Sequence, residues 1–322
     1  MKILITGCAG FIGYHLAKNL LEDRKLKIYG LDNFDPYYDV SLKKKRLSML
    51  KKKKNFNFFN IDISKKKSLF SNFKENKYDI IINLAAQAGV RFSITNPENY
   101  LNSNVIGFFN LLECSKVFKV KKFIYASSSS VYGDNKEFPL KEDAKTDSPL
   151  SFYAATKKTN EVFAHAYSNT YNLQTIGLRF FTVYGPYGRP DMSLFKFVDS
   201  IYKNKKINLF NRGKHIRDFT YVEDVVDAIK KLIHKKFIFK NIPYIIFNIA
   251  SNSPKTLSYY LNIIEGQVEK KAKKKYQKLQ LGDVKKTHGD VSKIKRYISF
   301  DIKMNLYQGI VKYVKWYKDF YK

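Results

Sequence analysis

The chain is poor in cysteine, tryptophan, proline and acidic residues, and none of its apolar runs is long. Its two cysteines, Cys8 and Cys114, cannot build a disulfide framework, so a small secreted scaffold is excluded and a reducing cytoplasm is the expected setting. No stretch approaches the ~20 consecutive apolar residues of a membrane span, and no membrane insertion is expected. The start, Met1–Cys8, has a lysine and ends Ile5-Thr6-Gly7-Cys8. Its few apolar residues nevertheless fall short of the roughly 7–15 of a signal-peptide core. No metal site is expected.

Acidic residues number 28 against 59 basic ones, a formal net charge of +31. An excess of that size suggests nucleic acid or an anionic membrane surface as partner. Only eight of the basic residues are arginine, however, whereas bidentate recognition of phosphates and base edges favours arginine over lysine. The lysines come with abundant Asn, Ile, Phe and Tyr, the residues an AT-rich coding sequence supplies. The runs Lys43–Arg46, Lys51–Lys54 and Lys273–Lys275 therefore read as solvated helix faces or loops, and no nucleic-acid partner is expected.

The 322 residues suffice for one large domain or two intimate ones. Lys2–Thr6 is a short apolar run ending in a glycine cluster, and Phe11–Asp23 then has helical spacing through Phe11, Ile12, Leu16, Leu20 and Leu21. The alternation continues with strands near Lys27–Leu31, Phe56–Phe59, Asp79–Leu84, Lys122–Ala126 and Gln174–Arg179. Helical patterns lie near Ser64–Asn76, Pro97–Phe118 and Ser151–Tyr171. Such alternation implies a Rossmann-like, doubly wound parallel sheet of the α/β class. After residue 180 the pattern loosens into helices near Met192–Lys203 and Val222–His234, a strand Tyr244–Ile249 and an amphipathic C-terminal helix. We expect a dinucleotide-binding domain over 1–180, rejoined by about 222–250, and a smaller, mainly substrate-binding lobe over 181–322.

Gly7, Gly10 and Gly13 form G-x-x-G-x-x-G between the first strand and the first helix. Glycines there permit a tight turn and close approach of a pyrophosphate to the helix N-terminus. Asp32 follows about twenty residues on, where a carboxylate accepts from ribose hydroxyls and repels a 2′-phosphate, so the expected cofactor is NAD rather than NADP. Tyr153 and Lys157 stand four residues apart, on one face of a helix. The run Ser127–Ser130 follows the strand Lys122–Ala126, at the carboxyl edge where doubly wound sheets place their sites. A free phenol has a pKa of about 10, so Tyr153 needs a nearby cation to serve as a base, and Lys157 supplies one. Ser128 is placed to hydrogen-bond the reacting oxygen.

These segments, with Asn83-Leu84-Ala85-Ala86, Tyr125–Gly133 and Arg217-Asp218-Phe219, resemble the extended short-chain dehydrogenase/reductase family. Within it, the stretches Asp32–Asp39, Ala85–Arg91, Arg179–Pro186 and Gly188–Met192 are similar to UDP-glucuronate 4-epimerases. The likeness spans essentially the whole chain. It implies NAD-dependent epimerisation of UDP-glucuronate to UDP-galacturonate through a 4-keto sugar, with Tyr153 as base and Lys157 and Ser128 as its partners. It implies cofactor contacts from Gly7, Gly10, Phe11, Ile12, Gly13, Asp32, Asn33, Asp62 and Ile63, and from Leu84, Ala85, Ala86, Asn102, Ala126, Tyr153 and Lys157. Substrate contacts are implied for Ser128, Ser129, Ser130, Thr182, Arg189, Arg217, Asp283 and Arg91, with Arg217 on the diphosphate, Asp283 toward the uridine and Arg189 near the sugar carboxylate. The likeness further implies a homodimer built on two helices of the Rossmann-like domain.

Two departures stand out: Cys8 replaces the usual alanine of the glycine loop, and Leu281 stands where proline usually precedes Gly-Asp-Val. Dehydratases of the family carry Asp-Glu directly before Val131-Tyr132-Gly133, and related decarboxylases carry Glu at position 130. Here Ser129 and Ser130 occupy those places. The alternative activity is 4-epimerisation of UDP-glucose or UDP-N-acetylglucosamine, and a more distant one is a non-catalytic dinucleotide sensor or nucleic-acid binder.

Overall fold

The computed structural model describes residues 1–279 and 282–322. The N-terminal part alternates β1 (Lys2–Thr6), α1 (Phe11–Leu20), β2 (Lys27–Asp32), α2 (Val40–Leu50), β3 (Phe56–Asn60), α3 (Lys66–Asn76) and β4 (Ile80–Asn83). Two single helical turns follow, α4 (Phe92–Thr95) and α5 (Pro97–Tyr100), then α6 (Gly107–Val117), β5 (Lys122–Ser128), α7 (Phe152–Tyr171) and β6 (Thr175–Phe180). Strand Tyr244–Ile249 completes a seven-stranded sheet in the order Tyr244–Ile249, β6, β5, β4, β1, β2, β3, all parallel. The order reverses beside β1, where β4 and β2 flank it and the carboxyl edge opens a crevice.

Parallel strands are covered on both faces, which is why β1 and β4 are nearly continuous apolar runs. One face packs α1 and the helix Val222–His234 through Leu16, Leu20, Val225 and Ile229. The other packs α3, α6 and α7 through Phe73, Phe108, Leu111 and Ala164. Lys122 ties Val222–His234 to β5, its ammonium donating to the carbonyls of Leu232, Ile233 and Lys235 at 2.8–2.9 Å. These are the orphan acceptors of that helix's last turn.

Beyond β6 lies a second core, rich in aromatics, in which Phe219 and Tyr260 stack at 4.4 Å. Three two-stranded pairings frame it: Thr182–Tyr184 with Phe219–Tyr221, Lys206–Phe210 with Lys273–Gln277, and Ile216–Arg217 with Lys255–Thr256. Among the described residues no helix is long and apolar enough to cross a membrane.

The helical pattern Pro97–Phe118 is present without a break to Val117, with one irregularity: a π-helical turn over Leu101–Ile106 joins α5 to α6. At that turn the Asn104 amide brackets Gln87, accepting from its N–H at 2.8 Å and donating to its carbonyl at 3.0 Å. Such wide turns re-aim side chains and escape a 3.6-residue period. One expectation is corrected in part: within the run Lys43–Arg46 only Lys44 and Lys45 are exposed. Lys43 and Arg46 are buried, and Arg46 donates to the carbonyls of Ala9 and Tyr187 at 2.9 and 2.7 Å, joining the glycine loop to the second lobe. Lys51–Lys54 is exposed, and Lys273–Lys275 forms an exposed edge strand.

Candidate active site

A cleft of about 1210 Å³ opens over the carboxyl edge of the sheet, and every residue the sequence singles out as cofactor or substrate contact lines it. One end is backbone. Gly7 has a left-handed φ of +70°, and a Cβ there would stand 2.8 Å from the Ala85 nitrogen. A Cβ on Gly10 would lie 2.9 Å from the Gly7 carbonyl oxygen, and one on Gly13 would collide with the same oxygen. The loop therefore closes only with glycine at these positions. No side chain caps α1, which begins at Phe11, so its first N–H groups and the positive end of its dipole face the cleft.

Asp32, at the end of β2, accepts from the N–H groups of Ala9 and Phe34 at 3.1 and 3.0 Å. Burial raises its carboxyl above the ordinary value, with those two bonds and the charges of Lys43 and Arg46 opposing. Asn33 donates to Asp62 at 3.2 Å. Burial pushes the Asp62 carboxyl up, but bonds from Ser64 and Asn33 and the charge of Lys65 outweigh it and hold the group below its usual range. Leu84, Ala85 and Ala86 carry the chain over the edge from β4, and Asn102, on the π-helical turn, faces the same space.

The centre of the cleft is set by β5 and α7. Ser151 caps α7, accepting from Ala154 N–H at 3.1 Å, which fixes where the helix starts and hence where Tyr153 and Lys157 point. The Lys157 ammonium donates to the Ala126 carbonyl at 2.9 Å and lies 5.9 Å from the centre of the Tyr153 ring. Burial lowers its pKa to about 8. Burial also raises the Tyr153 phenol, opposed by hydrogen bonding to Ser128 and by the charge of Arg189. The Ser128 hydroxyl accepts from the N–H and Oγ of Ser130 at 3.2 and 2.9 Å. Behind this strand Arg179 forms a buried bidentate pair with Glu161, at 2.8 and 2.9 Å, and Glu161 accepts from Ser127 at 2.6 Å. Arg179 therefore stiffens β5 from below.

The far end is made of charged side chains. Arg189 is paired in bidentate fashion with Asp191, at 2.9 and 2.5 Å, and donates to the Ala88 carbonyl at 3.2 Å. Asp191 also accepts from Tyr37 at 3.1 Å. Arg217 pairs with Asp283 at 2.7 Å. Its sequence neighbour Asp218 turns away and accepts from Ser251, Asn252 and Gly289. Arg91 lies 4.9 Å above the Phe210 ring, and Thr182 begins its strand at the cleft wall.

Sequence reasoning missed Asp191, Lys196, Phe210 and His215, all of which line the cleft. Their only signal is adjacency: Asp191 follows Arg189 within Gly188–Met192, and His215 precedes Arg217 by two positions. Leu281 lies outside the described residues.

Residues 3–250 match the NAD dependent epimerase/dehydratase family. Protein CapI of Staphylococcus aureus is 47% identical over 335 aligned positions that cover 100% of both proteins. UDP-glucuronate 4-epimerase of Thermodesulfobacterium geofontis is 41% identical over 317, covering 98% of this chain and 96% of that enzyme. The crystal structure of UDP-glucuronic acid 4-epimerase from Bacillus cereus, in complex with UDP-glucuronic acid and NAD, superposes with a TM-score of 0.93 at 32% identity over 99% of each chain. With its glycine cradle, its Tyr153–Lys157 pair and these likenesses, the chain belongs to the NAD dependent epimerase/dehydratase family.

Proposed function

We propose that this protein inverts C4 of UDP-glucuronate to give UDP-galacturonate, with NAD as its resident cofactor. The observation that carries the reading is the convergence of Tyr153, Lys157 and Ser128 midway between a backbone cradle and a charged wall in one cleft. The cradle fits a dinucleotide: its glycines leave room that any Cβ would fill, α1 is uncapped, and Asp32 ends β2 beside it. The Gly7–Gly13 backbone would hold the pyrophosphate and Asp32 the adenosine ribose. The chemistry NAD supplies when bound is removal of a hydride from C4 and its return to the opposite face of the ketone.

Tyr153 takes the proton of the C4 hydroxyl and later gives it back. Burial makes its phenolate costly, so a fixed cation must compensate, and Lys157 is positioned by Ala126 to do so. With a pKa of about 8, Lys157 is still mainly an ammonium at neutral pH. Ser128 holds the reacting oxygen. Ser129 and Ser130 offer no acid for a leaving group, which suits epimerisation rather than dehydration. The second lobe grips the UDP moiety through Arg217 and Asp283, with Arg91 reaching in from the first domain, while Arg189 and Thr182 orient the sugar carboxylate.

The neutral alternative, UDP-glucose or UDP-N-acetylglucosamine, draws support from the Arg189–Asp191 pair, which cancels the charge a carboxylate would seek. The protein acts in the cytoplasm as a homodimer, formed where α6 and α7 lie side by side and expose Phe109, Phe152 and Val162. Incubation with UDP-glucuronate and chromatography of the sugar nucleotides tests the reading. UDP-galacturonate should accumulate; conversion of UDP-glucose alone would favour the alternative.

A further inference from the structure

His215 stands just before the strand Ile216–Arg217, its carbonyl accepting from Leu257 N–H at 2.8 Å. The residue is 3% exposed, lines the cleft, and its Nε2 has no hydrogen-bond partner among the described residues. Unpartnered buried nitrogens are rare and costly, so the ring awaits a proton or a ligand. Nε2 lies 3.6 Å from Asp283 Oδ2, while Asp283 Oδ1 accepts from Arg217 Nη2 at 2.7 Å. One carboxylate thus faces an imidazole on one oxygen and a guanidinium on the other. The charged groups facing the ring are Asp283, Arg217 and Arg91. Burial and the two guanidinium groups lower its pKa, against the pull of Asp283 and the Phe210 carbonyl.

We propose that His215 is a positioning residue for the substrate's diphosphate: it takes up a proton as the anionic diphosphate occupies the Arg91–Arg217 end of the cleft, and the imidazolium then holds Asp283. The inference rests on the reading that this end accepts a UDP-sugar. Two negative charges beside Arg91 and Arg217 cancel the field that keeps the ring neutral. The proton comes from solvent, Nε2 becomes a donor, and Asp283 Oδ2 is its nearest acceptor. With the charge of Asp283 balanced by the imidazolium on Oδ2, the positive charge of Arg217 is left to the phosphates. By linkage, a ligand that raises the pKa of a group binds more tightly at lower pH.

The test uses the full chain loaded with NAD and carrying Tyr153→Phe, so that UDP-glucuronate binds without turnover. Calorimetric titrations at pH 6 and pH 8, in buffers of different ionisation enthalpy, report affinity and proton uptake together. The diphosphate diester does not itself titrate in this interval. Binding should be about tenfold tighter at pH 6 than at pH 8, with net proton uptake near pH 7. Lys157, its pKa lowered to about 8 in the same cleft, can add to the uptake, so the decisive quantity is the difference between the two chains: adding His215→Gln, which keeps a polar side chain without a titrating group, should reduce both the pH ratio and the uptake. Equal affinity at both pH values, or a ratio and an uptake unchanged by His215→Gln, overturns the role of His215 while leaving the substrate reading intact. Failure to bind UDP-glucuronate at either pH, in either chain, overturns both.

Discussion

At the α1 end of the cleft the surface is main chain: three glycines, a bare helix terminus, and Asp32 already engaged by two backbone N–H groups. At the opposite end the surface is formal charge, with Arg189 balanced by Asp191 and Arg217 by Asp283. The first end is rigid because its glycines pack against neighbouring backbone atoms, and it can serve any ligand carrying a pyrophosphate. The second consists of ion pairs that a ligand can enter and rearrange, so on the proposed reading discrimination between sugars belongs there. Tyr153 and Lys157 stand between the two, on a helix whose start is fixed by Ser151.

The contrast can be broken most severely at its centre. Tyr153→Phe keeps the ring and its packing but removes the proton acceptor, so turnover should fall by about 10²–10⁴-fold while NAD stays bound. Steady-state rates alongside cofactor content check this, and activity within a fewfold of the unaltered chain would remove Tyr153 from its role. At the backbone end, Asp32→Ala deletes a carboxylate that braces Ala9 and Phe34. NAD affinity should drop by about tenfold or more, as expected for loss of charge-assisted hydrogen bonds of roughly 1.5–3 kcal/mol. Fluorescence titration measures it, and equal use of NADP by the unaltered chain would contradict the assignment.

At the charged end the expected effect is on product identity more than on rate. Oxidation at C4 of UDP-glucuronate creates a β-keto acid, which loses carbon dioxide once its carboxylate leaves the ketone plane. On the proposed reading, Arg189 stabilises the very charge that decarboxylation removes. Arg189→Ala should therefore raise the ratio of decarboxylated 4-keto-pentose to UDP-galacturonate severalfold, as electrostatic stabilisation of the carboxylate is lost. Mass spectrometry of both products decides, and an unchanged ratio means Arg189 does not govern the carboxylate.

The same division explains what was legible in the sequence. Gly7, Gly10 and Gly13, and the pair Tyr153 and Lys157, are local patterns whose geometry follows from a strand–turn–helix and from one helical turn, so spacing locates them once Asp32 and the run Ser127–Ser130 stand beside them. Burial of Arg46 is not local. It depends on acceptors such as the Tyr187 carbonyl, 141 positions away, and a run of basic residues gives no hint of them. The π-helical turn is hidden for a related reason, since Asn104 satisfies Gln87, 17 positions earlier, with its side chain. Asp191 and His215 draw their significance from Tyr37, Arg217 and Asp283, which only tertiary packing brings to them.

The central claim is that a hydride leaves C4, stays within the cleft and returns to the other face of the same carbon. Incubating the holoenzyme with UDP-glucuronate deuterated at C4, in ordinary water, tests it most directly. The account predicts UDP-galacturonate with the deuterium retained at C4 and no label released to solvent. UDP-galacturonate that has lost its C4 deuterium, or the absence of UDP-galacturonate altogether, would contradict it.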